Sequence, residues 1–220
     1  GQTETAPVVS ANPPEKIKLD TVGTIFKGTQ VKIANDGEIL VSGENIMNGY
    51  WNDPEATAST VIDGWVHTGD IGEFDDDQYL KITDRKKDII VNAGGDNLSP
   101  SRVEEKLNIE PEIAQSMMYG DFKNYLVAII VPDKDLALQW ANNHGKEPDL
   151  LTLIKDGDFI KMMKDVTAKV NNNLSAIEQV RKFLLVKEEF TIENDMMTPT
   201  MKVKRFKVKN TYKDQLENLY

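Results

Sequence analysis

The sequence predicts a mixed α/β fold in which a strand-rich segment precedes a smaller α+β unit. Three observations predict it. From Thr21 to about Val91, apolar runs of strand length alternate with tight turns, and a single helix start interrupts them. After Ala93-Gly94-Gly95 the pattern becomes a mixture of strands and helices, which marks a separate unit. Within that second part, Phe159, Met163, Val166, Val170, Leu174 and Ile177 recur at spacings of four and three, the period of an amphipathic helix.

Taken in order, TIFKGTQVKIA (24–34) and EILVSG (38–43) read as strands joined by the hairpin turn NDG. Asp53 is placed to cap a helix, with Pro54 at its first position and Glu55 at its positive end. GWVHTGDIGEF, the acidic turn DDDQ, YLKITD and the buried-type run DIIVN follow. Ser99-Pro100 starts a helix through VEEKLNI, and IAQSMMYG and YLVAIIVP read as strands across the polar turn DFKN. A helix is expected around DLALQWANN, and a longer one from Phe159 to about Val180, with its apolar positions in the core. FLLVKEEF reads as a strand, TPTMKVKRFK as a loop leading into a basic strand, and KDQLENLY as a last helix. The boundary between the two parts is expected at Asp84–Lys87, and there is no internal repeat.

The composition excludes several classes. A net charge of -10 argues against a general nucleic-acid binder, which needs a basic face. The absence of cysteine removes disulfides and thiolate metal sites, and the two histidines, His67 and His144, are too few for a histidine cluster. Neither histidine shows a partner pattern, so neither reads as a catalyst. No apolar run has the length of a membrane span, and no secretory segment is visible, so the expected setting is cytoplasmic.

Several polar positions can carry chemistry. In GWVHTGD, Asp70 follows a glycine in what reads as a loop between strands, where a carboxylate can accept two hydrogen bonds from a cis-diol such as ribose; an ordinary turn aspartate fits as well. Arg85 stands where a strand run breaks and can hold a sugar hydroxyl or a phosphate, or be a solvated cation. Gly94-Gly95 lets a thin ligand pass close to the backbone, or simply turns the chain before a helix. Lys202 follows the rigid Thr-Pro-Thr and can neutralise developing phosphate charge. In the opening Gln2-Thr3-Glu4, a hydroxyl and a carboxylate can serve a phosphate and a magnesium ion. Trp65 reads as packing.

The order of these motifs is more specific than any one of them. GQTE, GEILVSGENIMNGYWNDPEAT, GWVHTGD, DRKKDIIVNAGGDNLSPSRVEE and TPTMK together closely resemble the acyl-adenylate-forming (AMP-binding) superfamily, nearly end to end. TPTMKVKR and the long insert between the C-terminal strands are most similar to the long-chain fatty acyl-CoA synthetase branch. The resemblance implies that residues 1–85 are the β-rich end of a large N-terminal domain, a distorted barrel, and residues 86–220 a mobile C-terminal domain. It implies ATP, coenzyme A and a fatty acid as substrates, with Mg2+. Gln2 and Thr3 then face the nucleotide phosphates, Glu4 the metal, and Asp70 and Arg85 the ribose. Lys87 lies on the hinge, Gly94 and Gly95 line the coenzyme A tunnel, and Lys202 is the adenylation lysine. Many relatives have glycine before that lysine; Met201 here reads as a mark of the long-chain subgroup. The acceptor is expected to be coenzyme A; the alternatives are a carrier-protein thiol or another acceptor, no thiol step at all, or a non-catalytic nucleotide- or partner-binding domain. Gly1 is expected to be a cut edge, with the phosphate loop in a preceding part of the same chain. The basic run at 201–210, five cations without an acid, adds peripheral membrane contact as a subsidiary expectation.

Overall fold

The computed structural model describes residues 1–220, and the chain divides into two compact units, Gly1–Lys87 and Asp88–Tyr220. The fold is mixed α/β.

The first unit is built on antiparallel strands. β1 (Ser10–Ala11) pairs with β2 (Thr24–Ile25). β3 (Thr29–Ile33) and β4 (Glu38–Gly43) form the hairpin expected around Asn35-Asp36-Gly37. The run 24–34 is thus two strands rather than one, because the chain turns at Lys27-Gly28. Helix α1 (Pro54–Thr60) begins as its residues dictate: the Asp53 carboxylate accepts from the Ala56 N–H, and Pro54 occupies the first turn, where no donor is needed. β5 (Val61–Ile62), β6 (Trp65–Phe74) and β7 (Leu80–Arg85) complete a five-stranded sheet that curls into a half-barrel. β6 is its spine: β4 lies along one edge, while β5 and β7 share the other. The core is small, centred on Val9, Ile39, Val41 and Leu80. Large apolar side chains remain outside it, with Leu19 96% and Trp51 91% exposed. Trp65 is half-buried, with the Lys32 ammonium 3.9 Å from its ring centroid.

The second unit starts with the two-residue strands β8 (Ile90–Val91) and β9 (Asn97–Leu98) and helix α2 (Pro100–Asn108), capped by Ser99. Its centre is a three-stranded sheet of β10 (Ile113–Tyr119), β11 (Leu126–Pro132) and β12 (Val180–Leu185), antiparallel between the first two and parallel between the last two. The parallel connection needs a crossover. It is supplied by α3 (Lys134–Asn143), α4 (Leu150–Leu153) and α5 (Gly157–Asn171). Helices α6 (Arg205–Thr211) and α7 (Lys213–Glu217) end the chain. β11 is buried throughout because both sheet faces are covered. Leu126, Ala128 and Ile130 point into one cluster with α2, α3 and α5; Val127, Ile129 and Val131 point into another with Met196, Met197, Val208 and Leu216. No helix is long and apolar enough to cross a membrane.

Three expectations are corrected here. α5 stops at Asn171 rather than near Val180. Three consecutive asparagines end it, and the Asn171 side chain bonds both the N–H and the C=O of Val180, fixing the start of β12 instead. Leu174 stays in the core, but Ile177 is 47% exposed. The strand expected at 183–190 begins earlier and ends at Leu185, while Phe190 packs separately, its backbone held by the Gln115 amide. The basic run continuing past Lys204 is helix α6, not a strand, because Val208 must reach the core while Arg205 and Lys209 stay at the surface.

Candidate active site

In the first unit, the register of β6 produces its most unusual geometry. Glu38 of β4 stands opposite Ile71, and Leu40 opposite His67. Thr68, Gly69 and Asp70 therefore all face the single residue Ile39, in a bulge of two extra residues. Thr68 Oγ1 donates to the Ile39 carbonyl (2.7 Å) and accepts from the Asp70 N–H (3.1 Å). Gly69 adopts φ +70°, the left-handed region that suits glycine. On the other edge, Asp70 pairs with Arg85 and Gly72 with Ile82, so Thr83 is the extra residue on β7. Gly72 is obligatory here: a Cβ on it would lie 2.2 Å from the Lys81 carbonyl oxygen.

Asp70 is thus in a bulged strand rather than a loop, and the same register brings Arg85 to it. Arg85 Nε donates to Asp70 Oδ1 at 2.8 Å, with the Asp70 side chain 15% and the Arg85 side chain 46% exposed. A neighbouring open cleft of about 380 Å³ is lined by Gly69, Arg85, Lys86 and Lys87. Arg85 and Lys86 are already paired with acids, so Lys87 is the cation of this opening that makes no ion pair.

Lys86 and His67 are tied to a residue that the sequence reading did not single out, Glu38. Lys86 bonds Asp36 (2.7 Å) and Glu38 (2.8 Å), and His67 Nδ1 donates to Glu38 Oε2 (2.9 Å). His67 therefore has a partner, contrary to expectation. Burial pushes the Glu38 carboxyl up, but Lys86, His67 and the Gly69 N–H outweigh it and hold it below the ordinary range.

Gln2, Thr3 and Glu4 belong to a different set of contacts. Thr3–Thr5 form a single 3-10 turn, pinned by the buried Thr5 hydroxyl, which donates to the Gln2 carbonyl at 3.0 Å. The turn rests on the segment 45–50: Met47 N donates to the Glu4 carbonyl (2.9 Å), and the Tyr50 hydroxyl donates to Glu4 Oε1 (2.8 Å). That bond to an anion raises the Tyr50 pKa. Thr3 is exposed and Glu4 half-buried. No group of three acidic or histidine side chains is gathered for a metal ion. A single carboxylate such as Glu4 suits magnesium held chiefly by phosphate oxygens and water.

In the second unit, Gly94 and Gly95 form the exposed apex of the β8–β9 hairpin. Asn92 and Asp96 brace it, with the Asp96 N–H donating to Asn92 Oδ1 and the Asn92 amide donating to Asp96 Oδ2, both at 2.9 Å. Gly95 has φ +85° and nothing within 4 Å of a built Cβ, so the space beside it is open. Lys202 ends a tight turn: its carbonyl accepts from Thr198 N (2.8 Å), and its own N–H donates to Thr198 Oγ1 (3.1 Å). Met201 adopts φ +59°, the left-handed conformation for which glycine is the natural occupant. The turn is anchored through Arg205, whose guanidinium grips Glu104 of α2 with two bonds of 2.6 and 2.5 Å.

The basic run is not a free cationic patch. Lys204 and Lys207 pair with Asp195, Arg205 with Glu104 and Lys209 with Asp121. Lys202 is exposed and makes no ion pair with the chain. His144 stacks on Trp140 at 4.2 Å, and its Nδ1 lies 2.8 Å from the Trp140 carbonyl.

Comparison with known proteins places the chain among adenylate-forming enzymes. A family model for the AMP-binding enzyme C-terminal domain matches residues 87–220, and the chain belongs to that family. It is 36% identical to the long-chain-fatty-acid–CoA ligase FadD15 of Mycobacterium bovis, over all of this chain and 37% of that protein. It is also 36% identical to human long-chain-fatty-acid–CoA ligase 1, over 84% of this chain and 27% of the relative. Among solved structures, O-succinylbenzoate coenzyme A synthetase of Bacillus subtilis in complex with AMP superposes with a TM-score of 0.68 at 25% identity, covering 94% of this chain and 39% of that one. The chain thus spans between about a quarter and two fifths of the length of these relatives.

Proposed function

We propose that the chain is the C-terminal part of an ATP-dependent long-chain fatty acid–CoA ligase. The observation that carries this reading is the state of Lys202. In a run of five cations, four are tied to acids and one projects, exposed and unpaired, from a tight turn. A mobile ammonium placed in that way suits a role in which it meets an anion outside the chain.

In this reading residues 1–85 close the AMP-binding domain, residues 86–220 form the mobile C-terminal domain, and Lys87 lies at the hinge. Asp70, oriented by Arg85, accepts hydrogen bonds from the ribose diol. Gln2 and Thr3 face the phosphates, and Glu4 helps to hold Mg2+, which screens the phosphate charge when bound. The fatty carboxylate attacks the α-phosphorus of ATP; a new P–O bond forms and pyrophosphate leaves. Lys202 lies between the carboxylate and the phosphate and offsets the negative charge they share. The thiolate of coenzyme A, guided past Gly94 and Gly95, then attacks the acyl carbon and AMP leaves. The two loops are rooted on opposite faces of one sheet, through Ile90 and Leu98 on one side and Met196 and Met197 on the other. That placement supports their serving successive steps.

The test is carried out on the full-length protein that carries this chain. ATP–pyrophosphate exchange driven by fatty acids of graded length, followed by thioester formation with coenzyme A, is the expected result. Exchange without coenzyme A thioester would move the acceptor to another thiol. Nucleotide binding without exchange would favour a non-catalytic domain.

A further inference from the structure

Glu38 is 3% exposed, an unusual place for a carboxylate. Burying a charge is costly unless several donors satisfy it. Three converge on this one: His67 Nδ1 (2.9 Å) and Lys86 Nζ (2.8 Å) on Oε2, and the Gly69 N–H (3.0 Å) on Oε1. All three flank the Asp70–Arg85 pair in sequence. His67 precedes the bulge, Gly69 lies inside it, and Lys86 directly follows Arg85. Lys86 is further fixed by Asp36, from the turn that leads into Glu38.

The bulge explains why such a group is needed. Three residues of β6 oppose one of β4, so the regular ladder cannot satisfy the Gly69 N–H. The Glu38 carboxylate takes the place of the missing carbonyl. With its other oxygen it ties the end of β7 to the same point.

We propose that Glu38 is a positioning residue for the nucleotide: its buried carboxylate fixes the Thr68–Asp70 bulge and Lys86 so that Asp70 and Arg85 meet in the geometry that receives the ribose diol. The proposal rests on the reading of Asp70 as the ribose ligand. An amide cannot replace the acid, because its NH2 would oppose either Lys86 or the Gly69 N–H, donor against donor.

The test compares binding of ATP and of 2′,3′-dideoxy-ATP by calorimetry in the full-length protein, for wild type, Glu38→Gln, Glu38→Asp and Asp70→Ala. The ratio of the two affinities isolates the diol. Wild type is expected to favour ATP and Asp70→Ala to lose that preference. Glu38→Gln is expected to cut the ratio by roughly fivefold or more, on the scale of a lost charged hydrogen bond, while affinity for the dideoxy nucleotide changes less than about twofold. Glu38→Asp, which keeps the charge, should restore part of the ratio. A Glu38→Gln ratio equal to wild type, beside a collapsed Asp70→Ala ratio, overturns the positioning role and leaves the ribose reading intact. Equal weakening of both nucleotides also overturns it, since that marks a structural role only. An unchanged ratio in Asp70→Ala removes the ribose reading and this proposal with it. Should Glu38→Gln fail to fold, the double variant His67→Phe/Lys86→Met keeps the carboxylate and removes two of its donors; a reduced ratio supports the proposal and a wild-type ratio overturns it.

Discussion

In the proposed reading Asp70 meets the diol with a carboxylate that is already oriented, because Arg85 holds Oδ1 and only 15% of the side chain is exposed. Preorientation of this kind makes a charged hydrogen bond effective, worth about 1.5–3 kcal/mol. On the proposed reading, Asp70→Ala therefore raises the KM for ATP by roughly ten- to a hundredfold and changes kcat less; steady-state kinetics at saturating fatty acid checks both. Glu38 makes a prediction in pH. Its ordinary carboxyl value of 4.5 is lowered in the folded chain, since burial, which acts upward, is outweighed by Lys86, His67 and the Gly69 N–H. A depressed acid contributes stability that is complete above 4.5 and is lost as pH falls through the lower folded value. Urea unfolding of wild type and Glu38→Gln is thus expected to differ most near neutrality, and the gap to narrow below about pH 4.5 as the wild-type acid takes up its proton. A gap that is constant with pH contradicts this account. The sequence singles out Asp70 and Arg85 but not their ion pair, nor Glu38. The partners of Glu38 lie 29, 31 and 48 residues away, and only the register of three strands brings them together.

At the scale of elements, local chemistry made part of the fold legible. Asp53-Pro54 and Ser99-Pro100 start helices because cap and first-turn residues act within four positions. β11 is legible because a strand buried on both faces must be apolar at every position. Ile129 sits at its centre, fully buried between β10 and β12. Ile129→Ala is expected to cost about 2–5 kcal/mol, read by urea unfolding through Trp140, with Trp51 and Trp65 changed to Phe. A loss below about 1 kcal/mol would mean that this face of the sheet repacks. The illegible parts have tertiary causes. The end of α5 depends on Asn171 bonding Val180 nine residues on, and apolar spacing through Ile177 carries no sign of it. α6 replaces an expected strand because its one buried residue, Val208, fits a cluster assembled from β10, β11 and the C-terminal helix. The bulge in β6 is equally silent, since an apolar pattern does not mark inserted residues.

At the scale of the molecule, the chain is two compact units meeting in sequence at Lys87–Asp88, each carrying part of the proposed machinery. The first has the Asp70–Arg85 pair; the second has two loops whose flanking residues, Ile90 and Leu98 for one and Met196 and Met197 for the other, pack into different clusters of its core. The motif order made both parts legible as members of the family, although the physical distinction between the loops appears only once the sheet is built. The central claim is that Lys202 serves adenylation and the Gly94-Gly95 apex serves thioester formation. Separate assay of the two half-reactions in the full-length protein tests it most directly. Lys202→Ala is expected to abolish fatty-acid-dependent ATP–pyrophosphate exchange while leaving coenzyme A transfer from a supplied acyl-adenylate within about threefold of wild type. Gly95→Trp, whose Cβ has no neighbour within 4 Å in this unit although the φ of +85° strains any side chain there, is expected to keep exchange and lose transfer. Parallel loss of both half-reactions in either variant would contradict the account.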